Sequence, residues 1–255
     1  MNIGFTGCSF TYGKGLIQGQ IPYPDHVATL FDSNIHNYSI LGANNHNIFT
    51  QSLYHILEKK HDMFFIQWTS AGRQQFCYNY LLKPNTVFGR WDNQRPSIIS
   101  EEKYKIFFDC YKILDNELNQ FTMIHTYVNI LKQVANLIGT KIFYINGHLT
   151  IDNVFFKDIS SVKDLFNLSR EARNAIGVFD LESEVDIVNN FHYIKQSLEF
   201  IKENNDWINP TQSLISEIID RASDGRHPGP LSHKKYADMI YNSPLVKEFV
   251  NKKYE

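Results

Sequence analysis

The chain has little of what marks several large classes of protein. Its three cysteines, an odd count without regular spacing, argue against a disulfide framework and against a cysteine-rich zinc site. With a net charge of −2, the chain has no overall attraction to nucleic acid or to an anionic membrane. No apolar run approaches the roughly 20 residues that cross a bilayer, and residues 1–7 lack the form of a secretory signal. We therefore expect a cytoplasmic protein, although one carried on a virus particle or exported by another route would have the same composition.

Short apolar stretches alternate with helical patterns over the first 150 residues. Strands are predicted at 1–5, 35–40, 61–68 and 140–145, and helices at 24–31, 47–59 and 101–137, the last with a break near Gln120. Such alternation favours a parallel sheet covered by helices on both faces. We predict a single domain, a three-layer α/β/α sandwich with four to five parallel strands. Residues 69–100 read as irregular, 230–253 as mostly helical, and insertions are expected at 70–125 and 146–210.

A glycine-rich turn with a serine follows the first predicted strand. Its sequence is Gly-Cys-Ser-Phe-Thr-Tyr-Gly, residues 7–13. A serine just beyond the carboxyl end of a strand can present its hydroxyl at the edge where open α/β sheets bind ligands. Ser9 is therefore a candidate nucleophile, and the alternative is that it only caps a helix.

An aspartate and a histidine lie three residues apart near the carboxyl terminus. Asp224 can reach the ring of His227 if the segment turns, and Gly225 and Pro228 favour a turn. A serine needs a base to remove its proton, and a carboxylate that orients the base completes a triad. Gly42, after the second predicted strand, could offer its backbone N–H to a developing oxyanion.

These blocks resemble those of the SGNH/GDSL hydrolases, a group of esterases, lipases and carbohydrate deacetylases. Gly7-Cys8-Ser9 stands where the family has Gly-Asp-Ser, Gly42 forms the second block, and Asp224 to His227 form the fourth. The resemblance spans nearly the full chain. It implies a flavodoxin-like α/β/α fold and a triad of Ser9, His227 and Asp224, with loss of rate at acid pH when the imidazole is protonated.

The resemblance also implies a reaction, which is hydrolysis of an ester through an acyl-enzyme. The leading substrate is an O-acetyl or other short acyl group on a carbohydrate. The chemistry of the triad needs no metal and no organic cofactor. Neither nucleic acid nor membrane is expected as a partner, and the oligomeric state is not readable from the sequence.

The chain departs from the family in the third block. The family's asparagine, which donates a hydrogen bond to the oxyanion, should follow the third strand, where this chain has Gln-Trp-Thr-Ser-Ala-Gly at 67–72. Thr69 is the preferred substitute, with Gln67 and Ser70 as alternatives. The backbone N–H groups of Ser9 and Gly42 could also act alone. Loss of one donor costs on the order of 10²–10³ in rate, so the departure predicts weaker activity.

Other interpretations of the same residues remain. Cys8 could be mistaken for the nucleophile but is expected to be packed inside, and His233 is expected to be a structural helix-cap partner. The segment from Gly7 to Gly15 is similar to a phosphate-binding loop, but it has five residues between its glycines instead of four and lacks the hydroxyl residue that binds magnesium. An inactive glycan-binding protein or an acyltransferase would share the same blocks.

Overall fold

The computed structural model describes residues 1–69, 73–76, 86–89, 117–147, 206–208 and 213–254. The strands in these ranges are β1 (Asn2–Thr6), β2 (Asn34–Asn37), β3 (Met63–Trp68), β4 (Arg73–Phe76), β5 (Thr86–Gly89), β6 (Lys141–Asn146) and β7 (Trp207–Ile208). The helices are α1 (Ser9–Tyr12), α2 (Tyr23–Phe31), α3 (Asn45–Glu58), α4 (Glu117–Ile138), α5 (Pro230–Tyr241) and α6 (Pro244–Tyr254). None of these helices is both long and apolar enough to cross a membrane.

Five strands form one sheet in the order β2-β1-β3-β6-β7, and every neighbouring pair is parallel. This confirms the predicted α/β class and the predicted four to five strands. The order is that of flavodoxin-like sheets. In these sheets ligands bind beyond the carboxyl ends of the strands at the switch point, which is the place where successive strands begin to be added on the other side of the first strand, here between β1 and β3. The strands β4 and β5 pair with each other in a separate antiparallel sheet.

One face of the main sheet carries a row of phenylalanine rings. Phe5 stacks on Phe65 with ring centroids 4.9 Å apart, and Phe65 stacks on Phe143 at 5.3 Å. Tyr23 of α2 and Phe249 of α6 pack edge-on against this row. Because successive side chains of a strand point to opposite faces, the neighbours of these residues must be covered by other helices.

The opposite face packs against α4. Trp68 stacks on Tyr144 with centroids 6.3 Å apart and on Tyr127 of α4 at 6.4 Å. The hydroxyl of Tyr144 donates to the backbone carbonyl of Val128 in the same helix at 3.2 Å. All six residues of β3 are buried, as expected for a central strand covered on both faces. The three predicted layers are therefore present.

Some predicted elements differ from those observed. The helix α4 passes through Gln120 without the expected break, and residues 101–116 lie outside the described ranges. The segment 230–253 forms two helices because Pro244 begins a new one; a proline inside a helix removes a hydrogen bond and clashes with the preceding turn. The strands β4 and β5 lie in a stretch that was expected to be irregular. Most residues of the two expected insertions fall outside the described part of the chain.

Candidate active site

Ser9 is the first residue of α1, just beyond the carboxyl end of β1. It is 6% exposed. No hydrogen bond between described residues engages its hydroxyl or its backbone N–H. The interpretation of Ser9 as a helix cap is wrong, because Cys8 occupies the cap position of α1 and makes no capping hydrogen bond. Ser9 thus lies at the switch point of the sheet with both of its donors uncommitted in this part of the structure.

A buried polar network lies beneath the turn that follows β1. The hydroxyl of Thr11 donates to Gln67 Oε1 at 2.6 Å and lies 2.8 Å from the hydroxyl of Tyr23. Gln67 Nε2 donates to the carbonyl of Trp68 at 3.1 Å and contacts Cys8 Sγ at 3.4 Å. Thr11, Gln67 and Cys8 are each 0% exposed. The network ties the turn to the end of β3, and it confirms the prediction that Cys8 is packed inside.

The same turn does not have the form of a phosphate-binding loop. A Cβ atom at Gly7 would lie 2.1 Å from Thr11 Oγ1, so the side chain of Thr11 closes over the start of the loop. The helix α1 has four residues and is followed by the cap residue Gly13, whose φ is 82°. A phosphate loop instead wraps its ligand with backbone N–H groups and leads into a helix whose first turn holds the anion. The contacts of Thr11 therefore disfavour nucleotide binding here.

Asp224 and His227 are paired within a tight turn. Asp224 Oδ2 lies 2.6 Å from His227 Nδ1, and Asp224 Oδ1 accepts the backbone N–H groups of Arg226 and His227, both at 3.0 Å. The N–H of Ala222 donates to the carbonyl of His227 at 2.9 Å and closes the turn. Gly225 has φ 68°, in the left-handed region that glycine enters without strain. The expected contact between the carboxylate and the ring is therefore confirmed.

The pair is charged in a way that suits a general base. The backbone N–H groups of His227 and Arg226 hold the pKa of the Asp224 carboxyl well below its usual range. Asp224 therefore remains a carboxylate at all ordinary pH values. Because Nδ1 faces this carboxylate, the neutral ring of His227 carries its proton on Nδ1 and presents the lone pair of Nε2. A proton acceptor in a triad needs this tautomer.

The turn that holds Asp224 packs against the segment that follows β1. The carbonyl of Gly15 accepts two hydrogen bonds from Ser223, one from the backbone N–H at 3.1 Å and one from the hydroxyl at 2.6 Å. The ring of His227 meets the ring of Phe10 edge-on, with centroids 6.1 Å apart. These contacts show that the two segments meet, as the triad requires, although they lie at opposite ends of the sequence.

The structure places His227 beside the residue next to Ser9, but no hydrogen bond joins the Ser9 hydroxyl to the His227 ring. Catalytic hydrogen bonds are often long or poorly aligned in structures without substrate.

Two further residues fix the position of the turn. The Asp220 carboxylate accepts the N–H groups of Leu231 and Ser232 at 3.0 and 2.7 Å, and so caps α5. His233 Nδ1 accepts the N–H of Tyr23, at the start of α2, at 3.2 Å. Burial lowers the pKa of His233 to about 4, so the ring is neutral and remains an acceptor. The prediction that His233 is a structural helix-cap partner is confirmed.

Gly42 lies in the loop after β2. The N–H groups of Tyr38 and Ile40 donate to the carbonyls of Phe5 and Gly7 at 2.8 and 3.1 Å, so this loop continues alongside β1 as far as the next turn. Gly42 has φ 70°, and nothing lies within 4 Å of the position that a Cβ atom would take. In the described part of the chain, no hydrogen bond uses its N–H.

Thr69 follows the last residue of β3 and is 0% exposed. Its hydroxyl has no hydrogen-bond partner among the described residues. Of the two alternatives, Gln67 has its amide committed to the network beneath the turn, and Ser70 lies outside the described ranges. Thr69 is thus the candidate donor whose side chain is uncommitted.

A residue that sequence reasoning missed holds the backbone of Thr69. The side chain of Asn45, the first residue of α3, accepts the Thr69 N–H at 2.9 Å and donates to the Thr69 carbonyl at 3.1 Å. Asn45 is 3% exposed. No local pattern identifies such a residue, because its partner lies 24 positions away. The only signal was a second asparagine beside the helix cap Asn44.

No three His, Cys, Asp or Glu side chains are grouped so as to hold a metal ion in the ranges that the structure describes. Two histidines outside the candidate site, His46 and His61, have structural contacts. His46 Nδ1 lies 2.9 Å from the hydroxyl of Tyr127, and His61 Nδ1 lies 2.9 Å from the carbonyl of Lys59.

Comparison with known proteins gives matches only among solved structures. Neither a protein-family model nor a curated protein matches the chain. A lipolytic protein of the G-D-S-L family from Desulfitobacterium hafniense shares 9% identity at a TM-score of 0.46, over 94% of this chain and 97% of that chain. A catalytic variant of an acetylxylan esterase from Geobacillus stearothermophilus shares 11% identity at a TM-score of 0.47, over 95% and 93%. A carbohydrate esterase family 2 enzyme from Corynascus thermopiles shares 12% identity at a TM-score of 0.46, over 98% and 66%.

These structures carry names from the group of proteins that the sequence blocks resemble. Identities of 9–12% with TM-scores below 0.5 do not assign an activity to this chain. The function is therefore inferred from the residues of the chain itself.

Proposed function

We propose that this protein is a serine hydrolase that cleaves esters, with Ser9 as nucleophile, His227 as base and Asp224 as the carboxylate that orients the base. The observation that carries the proposal is the Asp224–His227 pair, which is held against Phe10, the neighbour of Ser9, at the switch point of the sheet. A purely structural Asp–His pair would not need Nε2 of the imidazole to remain available to accept a proton.

The reaction follows from the tautomer of His227. Ser9 Oγ attacks the carbonyl carbon of the ester, and its proton passes to Nε2 of His227, which requires the two side chains to close to hydrogen-bond distance. The imidazolium is stabilised by Asp224, which stays ionised. Nε2 then returns the proton to the leaving alcohol, and an acyl group remains on Ser9. Water attacks this acyl-enzyme with His227 again as base, and the acid leaves.

The negative charge on the carbonyl oxygen needs donors that are not already bonded. The backbone N–H groups of Ser9 and Gly42 meet this condition within the described structure, as does the hydroxyl of Thr69. Donors that are fixed before the reaction stabilise the oxyanion most effectively. We assign Thr69 the role that an asparagine has in the SGNH/GDSL hydrolases.

The proposed substrate is an O-acetyl or other short acyl group on a carbohydrate. This class follows from the resemblance of the sequence blocks to carbohydrate deacetylases. Release of acetate from acetylated xylan, compared with p-nitrophenyl esters of increasing chain length, tests the carbohydrate and the acyl group separately.

The decisive experiment is turnover of p-nitrophenyl acetate by the wild type, by Ser9→Ala and by the control Ser33→Ala. Ser33 directly precedes β2 and so lies at the amino ends of the strands, whereas Ser9 lies beyond their carboxyl ends. We expect at least a 10³-fold loss in Ser9→Ala and an unchanged rate in the control, because a missing nucleophile removes the acyl-enzyme. A fluorophosphonate should modify Ser9 alone. Equal rates in the wild type and Ser9→Ala contradict the proposal, and absence of modification favours a binding protein.

A further inference from the structure

Thr69 is held by an unusual pair of hydrogen bonds. One side-chain amide, that of Asn45, binds both the N–H and the carbonyl of the same residue, at 2.9 and 3.1 Å. In a strand these two groups would pair with neighbouring strands, but Thr69 lies one residue beyond β3, where the ladder has ended. The amide of Asn45 therefore continues the pairing of the strand by one residue.

The position of Asn45 makes this contact a link between two loops. Asn45 lies three residues after Gly42 and begins α3, while Asn44 caps the same helix by accepting the N–H of Asn47 at 2.8 Å. The segment from Gly42 to Asn45 is thus fixed to the helix at one end. Its contact with Thr69 fixes the end of β3 to the same segment.

A fully buried hydroxyl without a partner is costly, on the order of 1–3 kcal/mol. The hydroxyl of Thr69 is in this state among the described residues. With both backbone groups of Thr69 bound, its hydroxyl can change position only by rotation of the side chain about χ1. The amide of Asn45 therefore fixes the backbone from which the hydroxyl projects.

From these contacts we infer that Asn45 is a positioning residue for ester hydrolysis. It acts through Thr69, holding the hydroxyl of Thr69 and the N–H of Gly42 in one fixed arrangement around the oxyanion. This inference rests on the proposed function. It also explains how the chain can place an oxyanion donor after β3 although the family's asparagine is missing there.

A double-mutant cycle with Asn45→Ala and Thr69→Val tests the inference, with kcat and KM for p-nitrophenyl acetate as the readout. Thr69→Val keeps the shape of the side chain and removes the hydroxyl. We expect each single variant to lose on the order of 10²-fold in kcat, with KM within about twofold. The double variant should lose about as much as the more strongly impaired single variant and clearly less than the product of the two losses, because Asn45 acts mainly through the hydroxyl that Thr69→Val has already removed.

The matched control is Ser52→Ala in the same helix. Ser52 is 0% exposed, and its hydroxyl lies 2.6 Å from that of Thr6 and donates to the carbonyl of Ile48. This variant also removes buried hydrogen bonds but leaves Thr69 bound. We expect Ser52→Ala to lower Tm at least as much as Asn45→Ala and to keep kcat within about threefold of the wild type.

The outcomes separate this inference from the function on which it rests. If the losses multiply in the double variant, or if Ser52→Ala loses as much kcat as Asn45→Ala at equal Tm, Asn45 is only structural and the inference is wrong. Turnover that survives Ser9→Ala overturns the proposed function and this inference together. A cycle that fails while turnover still depends on Ser9 overturns the inference alone.

Discussion

Gln67→Glu places a carboxyl group of almost the same shape at a position that is 0% exposed. In the wild type the amide of Gln67 donates to the carbonyl of Trp68 at 3.1 Å. A carboxylate at this position would bring a negatively charged oxygen against the carbonyl oxygen, and the two would repel each other. The described partners of Gln67 are all uncharged: Thr11, Cys8 and Trp68. Full burial without a cation raises the pKa of a carboxyl group by up to about 3–5 units, so the new side chain should be protonated in the folded protein at acid pH.

The cost of this substitution should depend strongly on pH. In the unfolded chain the glutamate has a pKa of about 4.3, and in the folded protein the value is higher. Relative to the wild type, stability is therefore lost as pH rises above about 4.3, at about 1.36 kcal/mol per unit, until the folded pKa is reached. With a folded pKa near 7, the loss approaches about 3–4 kcal/mol. At pH 4.5 the protonated carboxyl can donate to the Trp68 carbonyl, and little is lost.

Urea unfolding at pH 4.5, 6.0 and 7.5 measures this difference, with Gln18→Glu as an exposed control. We expect the free energy of unfolding of Gln67→Glu to fall away from that of the wild type as pH rises, while the control stays parallel to it. A loss of the same size at pH 4.5 and pH 7.5 would refute the buried, fully bonded placement of Gln67. It would also reopen Gln67 as an oxyanion donor.

Asp224→Asn should lower kcat by about 10³–10⁴-fold with little change in Tm. The amide would donate a hydrogen bond to Nδ1 of His227, so the ring would carry its own proton on Nε2, and Nε2 could no longer accept the proton of Ser9. A loss below tenfold in steady-state turnover would contradict the role of Asp224. Burial lowers the pKa of both His61 and His233 to about 4, so below about pH 6.5 the unfolded chain binds protons that the folded protein does not, and stability falls on acidification. At pH 5 the loss in the free energy of unfolding is about 2 kcal/mol for each histidine. In urea unfolding, His61→Gln should therefore show a smaller difference than the wild type between the free energies of unfolding at pH 7.5 and pH 5. An equal difference in the wild type and the variant would contradict this prediction.

Much of the fold was predictable because its signals are local. The apolar stretch that became β3 is buried at all six positions, and such a run is typical of a central parallel strand. The turn between Asp224 and His227 was predictable from Gly225 and Pro228, because their backbone preferences act over four residues. The division of the last helix was not predicted, although Pro244 carries the signal for it, because a proline in a helix interior kinks or breaks the helix.

The polar contacts of the site could not be predicted, because each joins residues that are far apart in the chain. Gln67 reads as one polar residue within an apolar strand, and its partner Thr11 lies 56 positions away. The pair Asn45 and Thr69 is 24 positions apart and depends on how α3 begins beside the end of β3. Sequence identified the residue types at the edge of the sheet, but not which of them were already bonded.

That distinction decides the division of roles at the carboxyl end of β3. Gln67 and Thr69 are two positions apart and are both 0% exposed, so a sequence motif cannot tell which of them serves the reaction. The amide of Gln67 is committed to the turn that carries Ser9, and Asn45 binds the backbone of Thr69 while the Thr69 hydroxyl has no partner among the described residues. A preorganised donor stabilises a developing negative charge best when it does not first have to break a hydrogen bond to another protein group. The hydrogen-bond partners therefore give Gln67 a structural role and, under the proposed mechanism, make Thr69 the candidate donor to the oxyanion.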